Sequence, residues 1–206
     1  MFEIGTVLSK GFEGFKANLV PWILGMVVQG AVMAVIYVLF IVISVVLAQV
    51  ADFLPLIAML VMIPVLIVAI TVLQMGLISM ALKSARGQQV AVGDLFSQVG
   101  KLVPGVIAAV IAGLPSIIPC VGWLISFAFF GLALFYVVDK SLDPISAVKA
   151  SMAATEPARM QMVILCLVFF GLGLLMVIPL AGLVIVPTIL VTLAHVYELL
   201  ASKGVA

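Results

Sequence analysis

Three long apolar blocks contain no lysine or arginine: Leu19 to Leu82, Leu102 to Val138, and Met160 to Leu200. All nine basic residues fall outside them, at Lys10, Lys16, Lys83, Arg86, Lys101, Lys140, Lys149, Arg159 and Lys203. A bilayer core about 30 Å thick needs about 20 apolar helical residues to cross it. Each block is therefore long enough to cross and return. If each does so, every basic residue stays on one face, which the positive-inside tendency makes cytoplasmic.

Composition leaves few alternatives. The 206 residues are 67% hydrophobic and only 8% charged, whereas soluble domains are about 25% charged. So few charges cannot clothe a water-facing surface, and lipid must be the main solvent. A net charge of +1 gives no field for nucleic acid. No cluster of basic residues suggests anionic-lipid capture.

The turn of the first block is placed at Gln49-Val50-Ala51-Asp52-Phe53-Leu54-Pro55, around that block's one acidic residue. It separates spans at about Leu19–Leu47 and Leu56–Leu82, both long enough to tilt, kink or protrude, with Pro64 a cause for a kink. The second block turns at Leu114-Pro115-Ser116-Ile117-Ile118-Pro119-Cys120-Val121-Gly122, where two prolines and a glycine break helix. A re-entrant hairpin is the competing reading there. The third turns at Ile178-Pro179-Leu180-Ala181-Gly182. No cleavable leader is read at the N-terminus, because Glu3, Lys10, Glu13 and Lys16 interrupt it.

A surface helix is expected before each hairpin. Residues 2–16 put Ile4, Val7, Leu8, Phe12 and Phe15 on one face and Glu3, Thr6, Lys10 and Glu13 on the other. Leu95, Phe96, Val99 and Leu102 repeat the stripe, with Asp94 near the start. Asp143-Pro144 is an N-cap followed by a first-turn proline, and Ile145, Val148 and Met152 supply the apolar face. The expected fold is an all-α polytopic membrane protein: six transmembrane helices as three hairpins, each preceded by a short amphipathic interfacial helix. It forms one domain: residues 1–16 as an interfacial helix, 17–82 as hairpin 1, 92–138 and 143–200 as an interfacial helix plus hairpins 2 and 3. The run from Ile118 to Ile125 aligns with that from Ile178 to Ile185 at an offset of 60, and Tyr136 and Tyr197 follow at 61. A parallel repeat and a merely convenient Pro-x-x-Gly corner both explain this.

The run Phe135-Tyr136-Val137-Val138-Asp139-Lys140-Ser141-Leu142-Asp143-Pro144, continuing Ile145-Ser146-Ala147-Val148-Lys149-Ala150-Ser151, carries a family resemblance. With Gly14-Phe15-Lys16-Ala17-Asn18 and Ala194-His195-Val196-Tyr197, it resembles YciC-like bacterial integral membrane proteins. It is also similar to the membrane domain that accompanies some glycerophosphodiester phosphodiesterases. The resemblance implies a six-span bacterial inner-membrane protein and carries over no catalytic residues, because that chemistry belongs to a separate soluble domain.

Intramembrane polar groups are the remaining functional candidates. Thr188, Thr192 and His195 share one helical face, with Glu198 in pairing reach of His195. Gln29 and Gln74 sit inside spans one and two and are expected to bond each other or a neighbour. Asp139, at the inner end of span four, is placed to cap the next turn or meet a basic residue of another repeat. Such a set either lines a path or forms hydrogen-bonded seams between helices. A path requires Gln29, Gln74, Thr192 and His195 to meet in one water-filled cavity. Trp22 and Trp123 fit the inner and outer aromatic belts. Cys120 and Cys166 lie at different depths, against a disulfide, and no His/Cys/Asp spacing suits a metal. No Walker loop or triad is present. The expected function is therefore non-enzymatic, without cofactor: a membrane-organising or accessory protein that forms homo-oligomers among membrane lipids, with both termini cytoplasmic. A small channel or transporter is the alternative.

Overall fold

The computed structural model describes residues 2–51, 53–119, 121–178 and 180–202. Its helices are α1 (Ile4–Ala17), α2 (Leu19–Ala48), α3 (Leu54–Ala85), α4 (Leu102–Gly113), α5 (Gly122–Phe130), α6 (Ala133–Lys140), α7 (Pro144–Thr155), α8 (Arg159–Leu174) and α9 (Gly182–Ala201). There is no strand among the described residues. Many residues are β-branched, yet a chain solvated by lipid must close its backbone hydrogen bonds locally, which only helices do without a barrel. Six stretches are long and apolar enough to cross a membrane: Leu19–Ala48, Leu54–Ala85, Val92–Ile117, Gly122–Lys140, Pro144–Val177 and Gly182–Ala201. The chain is an all-α polytopic membrane protein.

The corners follow the sequence chemistry. A 3-10 turn at Leu114–Ile117 leads to extended Ile118 (φ −77°, ψ 116°), and α5 starts at Gly122. A 3-10 turn at Leu175–Val177 leads to extended Ile178 (φ −75°, ψ 124°), and α9 starts at Gly182. The two corners thus share a 3-10 turn followed by an extended isoleucine as well as letters. A side chain at Gly122 would place its Cβ 1.9 Å from the Pro115 carbonyl oxygen, so glycine is required there by close approach. The repeated letters also bring the two tyrosines together, Tyr136 and Tyr197 meeting edge to face with centroids 5.0 Å apart. Asp52, Cys120, Pro179 and Lys203 lie outside the described residues. Span two runs through Pro64 as one helix.

The surface helices depart from expectation. The first, α1, forms a helix apart from the spans and lays Val7, Gly11 and Phe15 against α9 and α3, leaving Phe12 exposed. Before hairpin 2 the chain forms two 3-10 turns, Val92–Phe96 and Val99–Lys101, instead of an α-helix. Gly93 and Gly100 weaken helix there, and the Asp94 carboxylate caps the Ala91 amide at 2.9 Å. Before hairpin 3, Asp143 caps α7 as expected, its Oδ2 accepting from the Ser146 amide at 3.0 Å. But α7 folds back against α6, α4 and α5, burying Ala147, Val148, Ser151, Ala154 and Thr155, and continues through Glu156–Ala158 into α8.

Span four is broken between α5 and α6 at Gly131 and Leu132. Ser151 of α7 stitches the break: its hydroxyl donates to the Phe129 carbonyl at 2.9 Å and accepts from the Leu132 amide at 3.3 Å. Burial is concentrated at one end of the bundle. It comprises α1, α3 from Thr71 to Ser84, α6, α7, α8 from Met162 to Phe169 and α9 from Pro187 onward. The outer arms of α2 and α3 expose Val35, Leu39, Val42, Val46, Leu60 and Val61 instead. At 30 residues α2 is about 45 Å long, and α9 at 20 residues is about 30 Å. Hairpin 1 therefore reaches about 15 Å farther than a helix that just matches the bilayer core.

Candidate functional site

The compact end is held by charges delivered from three helix C-termini. Lys83 and Arg86 lie three residues apart near the end of α3, where cations favour the helix dipole. The C-terminal ends of α6 and α9 carry Asp139 and Glu198, where the dipole disfavours anions. Arg86 resolves that conflict by sitting between them. Its Nη2 donates to Asp139 Oδ1 at 2.6 Å, and its Nε donates to Glu198 Oε1 at 2.7 Å. The Tyr197 hydroxyl donates to Asp139 Oδ2 at 2.9 Å. Burial pulls the Arg86 guanidinium down, but Asp139 and Glu198 together outweigh it and hold the group above its usual value. All three hairpins are thus tied at one point.

Two further contacts close the same end. Lys83 Nζ donates to Asp94 Oδ1 at 2.6 Å, and Lys101 Nζ donates to the Val138 carbonyl. Trp22 is fully buried, its Nε1 donating to Ser84 Oγ at 3.0 Å. It is a core residue that staples α2 to α3, not a member of an aromatic belt. Trp123 is 36% exposed and its ring packs 5.6 Å from that of Phe170.

The polar residues expected within the spans do not meet. Thr188 donates to the Val184 carbonyl and Thr192 to the Thr188 carbonyl, both at 2.7 Å, so each hydroxyl is satisfied by its own helix. Thr192 is fully buried under Gly11 of α1. His195 faces Lys10 of α1, and Glu198 is held by Arg86 instead of by His195. Gln29 and Gln74, expected to bond each other or a neighbour, do neither among the described residues, and Gln29 Oε1 is buried without a partner there. Asp139 does meet a basic residue of another hairpin.

Gln74 lies on the wall of an open crevice of about 360 Å³ between α3, α4, α5, α6 and α9. A second space of about 430 Å³ separates the outer arms of α2 and α3, lined by apolar side chains such as Ile36, Phe40, Ile57 and Val61. Neither space is shared by Gln29, Thr192 and His195. Sequence reasoning missed Arg86 and Ser151. Arg86 was visible only as a loop cation, and its partners lie 53 and 112 residues away. The signal for Ser151 was Gly131, a helix-weakening residue in the middle of span four.

No family model matches this chain, nor does any curated protein or solved structure.

Proposed function

We propose that this chain is a non-enzymatic membrane-organising protein of the bacterial inner membrane, of the YciC-like type. In this reading both termini face the cytoplasm and copies assemble through the outer half of hairpin 1. The observation that carries it is the contrast between the two halves of the molecule. At the compact end, Arg86, Asp139, Glu198, Tyr197, Lys83 and Asp94 are engaged in holding helices together. At the other end two helices of 30 and 32 residues extend as an apolar hairpin whose side chains are exposed. An apolar hairpin longer than the bilayer core tilts, thickens the bilayer or oligomerises. Any of the three orders the lipid around it, and packing against a second copy covers the excess length. The separate placement of Gln29, Thr192 and His195 supports positioning over conduction.

The test is the mass of the assembly in lipid nanodiscs across protein concentration. The reading expects multiples of the 21.7 kDa chain, with Val42→Trp on the exposed face of α2 shifting the distribution toward single chains. Single chains at every concentration contradict it.

A further inference from the structure

The spans share one inner level, and from it they reach unequal distances. Arg86 meets Asp139 at 2.6 Å and Glu198 at 2.7 Å, so the inner ends of α3, α6 and α9 coincide to within one arginine side chain. From there no span reaches farther than its own length. Arg86 to Leu54 along α3 is about 48 Å. Asp139 to Gly122 along α6 and α5 is at most about 26 Å, and Glu198 to Gly182 along α9 is about 24 Å. Hairpin 1 thus has an excess of about 22 Å, or about 15 residues of helix, from Leu54 to near Ala69. Burial marks the same boundary: the first buried residue of α3 is Thr71, and nothing in α2 beyond Gly25 is buried. The excess is an arm that stands past the corners of the other two hairpins.

Lipid begins near the shared level. Exposed apolar side chains start at Leu19 and Val20 on α2, Val103 on α4 and Met160 on α8. Met160 to the end of the 3-10 turn at Val177 is about 27 Å, and Val103 to Ile117 is about 23 Å. A core about 30 Å thick therefore suits hairpins 2 and 3 and leaves the arm uncovered. The arm has nothing to offer water: residues 34–48 and 54–70 contain no Asp, Glu, Lys or Arg. Nor can it lie down alone. It continues without a break into Thr71–Ser84 of α3, which packs against α4, α6 and α9. Tilting the arm tilts the whole bundle and draws the shorter hairpins away from the outer face.

We propose that the arm makes self-assembly depend on bilayer thickness. A thin core leaves the arm uncovered and drives copies together along it, whereas long acyl chains cover it and release them. This rests on assembly through hairpin 1 and adds what controls it: the acyl-chain length of the surrounding lipid. The mismatch penalty, fractions of a kcal/mol for each Å, is what a second copy relieves.

The test is the association constant of the full chain in vesicles of dimyristoleoyl-, dioleoyl- or dierucoyl-phosphatidylcholine, read by single-molecule photobleaching across protein-to-lipid ratios. Association should fall along that series, about tenfold for each ~5 Å of added core thickness. Deleting residues 39–45 together with 57–63 shortens the arm by about 10 Å and nearly keeps its facing, because seven residues make almost two whole turns; the series should then flatten. With Val42→Cys or Ile107→Cys in a chain lacking Cys120 and Cys166, copies should cross-link through position 42 in the thin bilayer and not through position 107 on α4. Equal association of the unaltered chain in all three lipids overturns thickness control and leaves assembly standing. Single chains in every lipid overturn both. Association that strengthens with chain length, or cross-linking at 107 in place of 42, overturns the role of the arm. The lipid series on the unaltered chain is decisive even where the shortened form does not insert.

Discussion

Removing Arg86 tests the lock at the compact end. Arg86→Met keeps the aliphatic stem and deletes the charge, leaving Asp139 with Tyr197 alone and Glu198 with no cation. Hydrogen bonds to charged groups contribute about 1.5–3 kcal/mol each when shielded. Exposed ion pairs contribute about 0.2–1 kcal/mol. The Asp139 side chain is 19% exposed and that of Glu198 38%, while Arg86 is 35% exposed. The Asp139 contact therefore lies toward the shielded limit, discounted for the exposure of Arg86, and the Glu198 contact lies at the exposed limit. Arg86→Met should cost about 2 kcal/mol, near thirtyfold in the folding equilibrium. A double-mutant cycle with Asp139→Asn should show coupling of about 1–1.5 kcal/mol, and one with Glu198→Gln about 0.5 kcal/mol. Arg86→Lys should fall between, because it keeps the charge and loses the fork that reaches two helices. Unfolding in mixed micelles, read by Trp22 fluorescence in a Trp123→Phe background, measures all of these. Raising salt from about 0.05 to about 0.5 M should erase the Glu198 coupling and spare most of the Asp139 coupling. Coupling to Asp139 below about 0.3 kcal/mol, or a larger coupling to Glu198, refutes the argument.

Four more outcomes follow from single positions. Ser151→Ala should destabilise by about 1–3 kcal/mol, because a buried hydroxyl that serves both sides of the α5–α6 break is lost; faster hydrogen exchange at the Leu132 amide localises the effect. Gly76→Ala should cost about 1–3 kcal/mol or more, since its Cβ would lie 1.8 Å from the Leu95 carbonyl oxygen. Gly30→Ala, with nothing within 4 Å, should be neutral or slightly stabilising in the same melting assay. The N-cap of α7 should depend on pH: the Ser146 bonds hold the Asp143 carboxyl below its usual 3.8, so its contribution is complete above that value and fades as pH falls through the lowered one. Exchange at the Ser146 amide should rise on that acid side, and at neutral pH in Asp143→Ala, while Asp143→Asn keeps the cap and removes the pH dependence.

What could be read in the chain was local or set by solvent. The blocks free of lysine and arginine give six spans because their length and apolarity suit lipid, and the Pro-Gly corners and the Asp143-Pro144 cap act within a few residues. Pairings across hairpins were not legible. Nothing in the neighbourhood of Arg86 says that its partners are Asp139 and Glu198, and nothing near Ser151 points to the Phe129 carbonyl. Amphipathic stripes misled for a related reason. A stripe that suits a membrane surface also suits the side of another helix, and α1 turned Val7 and Phe15 onto protein, whereas α7 buries a different face through Ala147, Ser151 and Ala154 and leaves Ile145 of its stripe exposed. The stretch from Val92 to Lys101 carried the right spacing, but its glycines and the capping carboxylate of Asp94 favoured 3-10 turns. The polar positions in the spans were correctly found as polar, yet their geometry depended on rotamers: the threonines turned inward to their own carbonyls.

Labelling with a membrane-impermeant maleimide tests directly whether the three hairpins enter the bilayer from one face. Single cysteines at positions 86, 116 and 149, in a chain lacking Cys120 and Cys166, are probed in intact cells and after permeabilisation. Position 116 should react in intact cells, and positions 86 and 149 only once the membrane is opened. Reaction at 86 or 149 from outside an intact cell contradicts the threading.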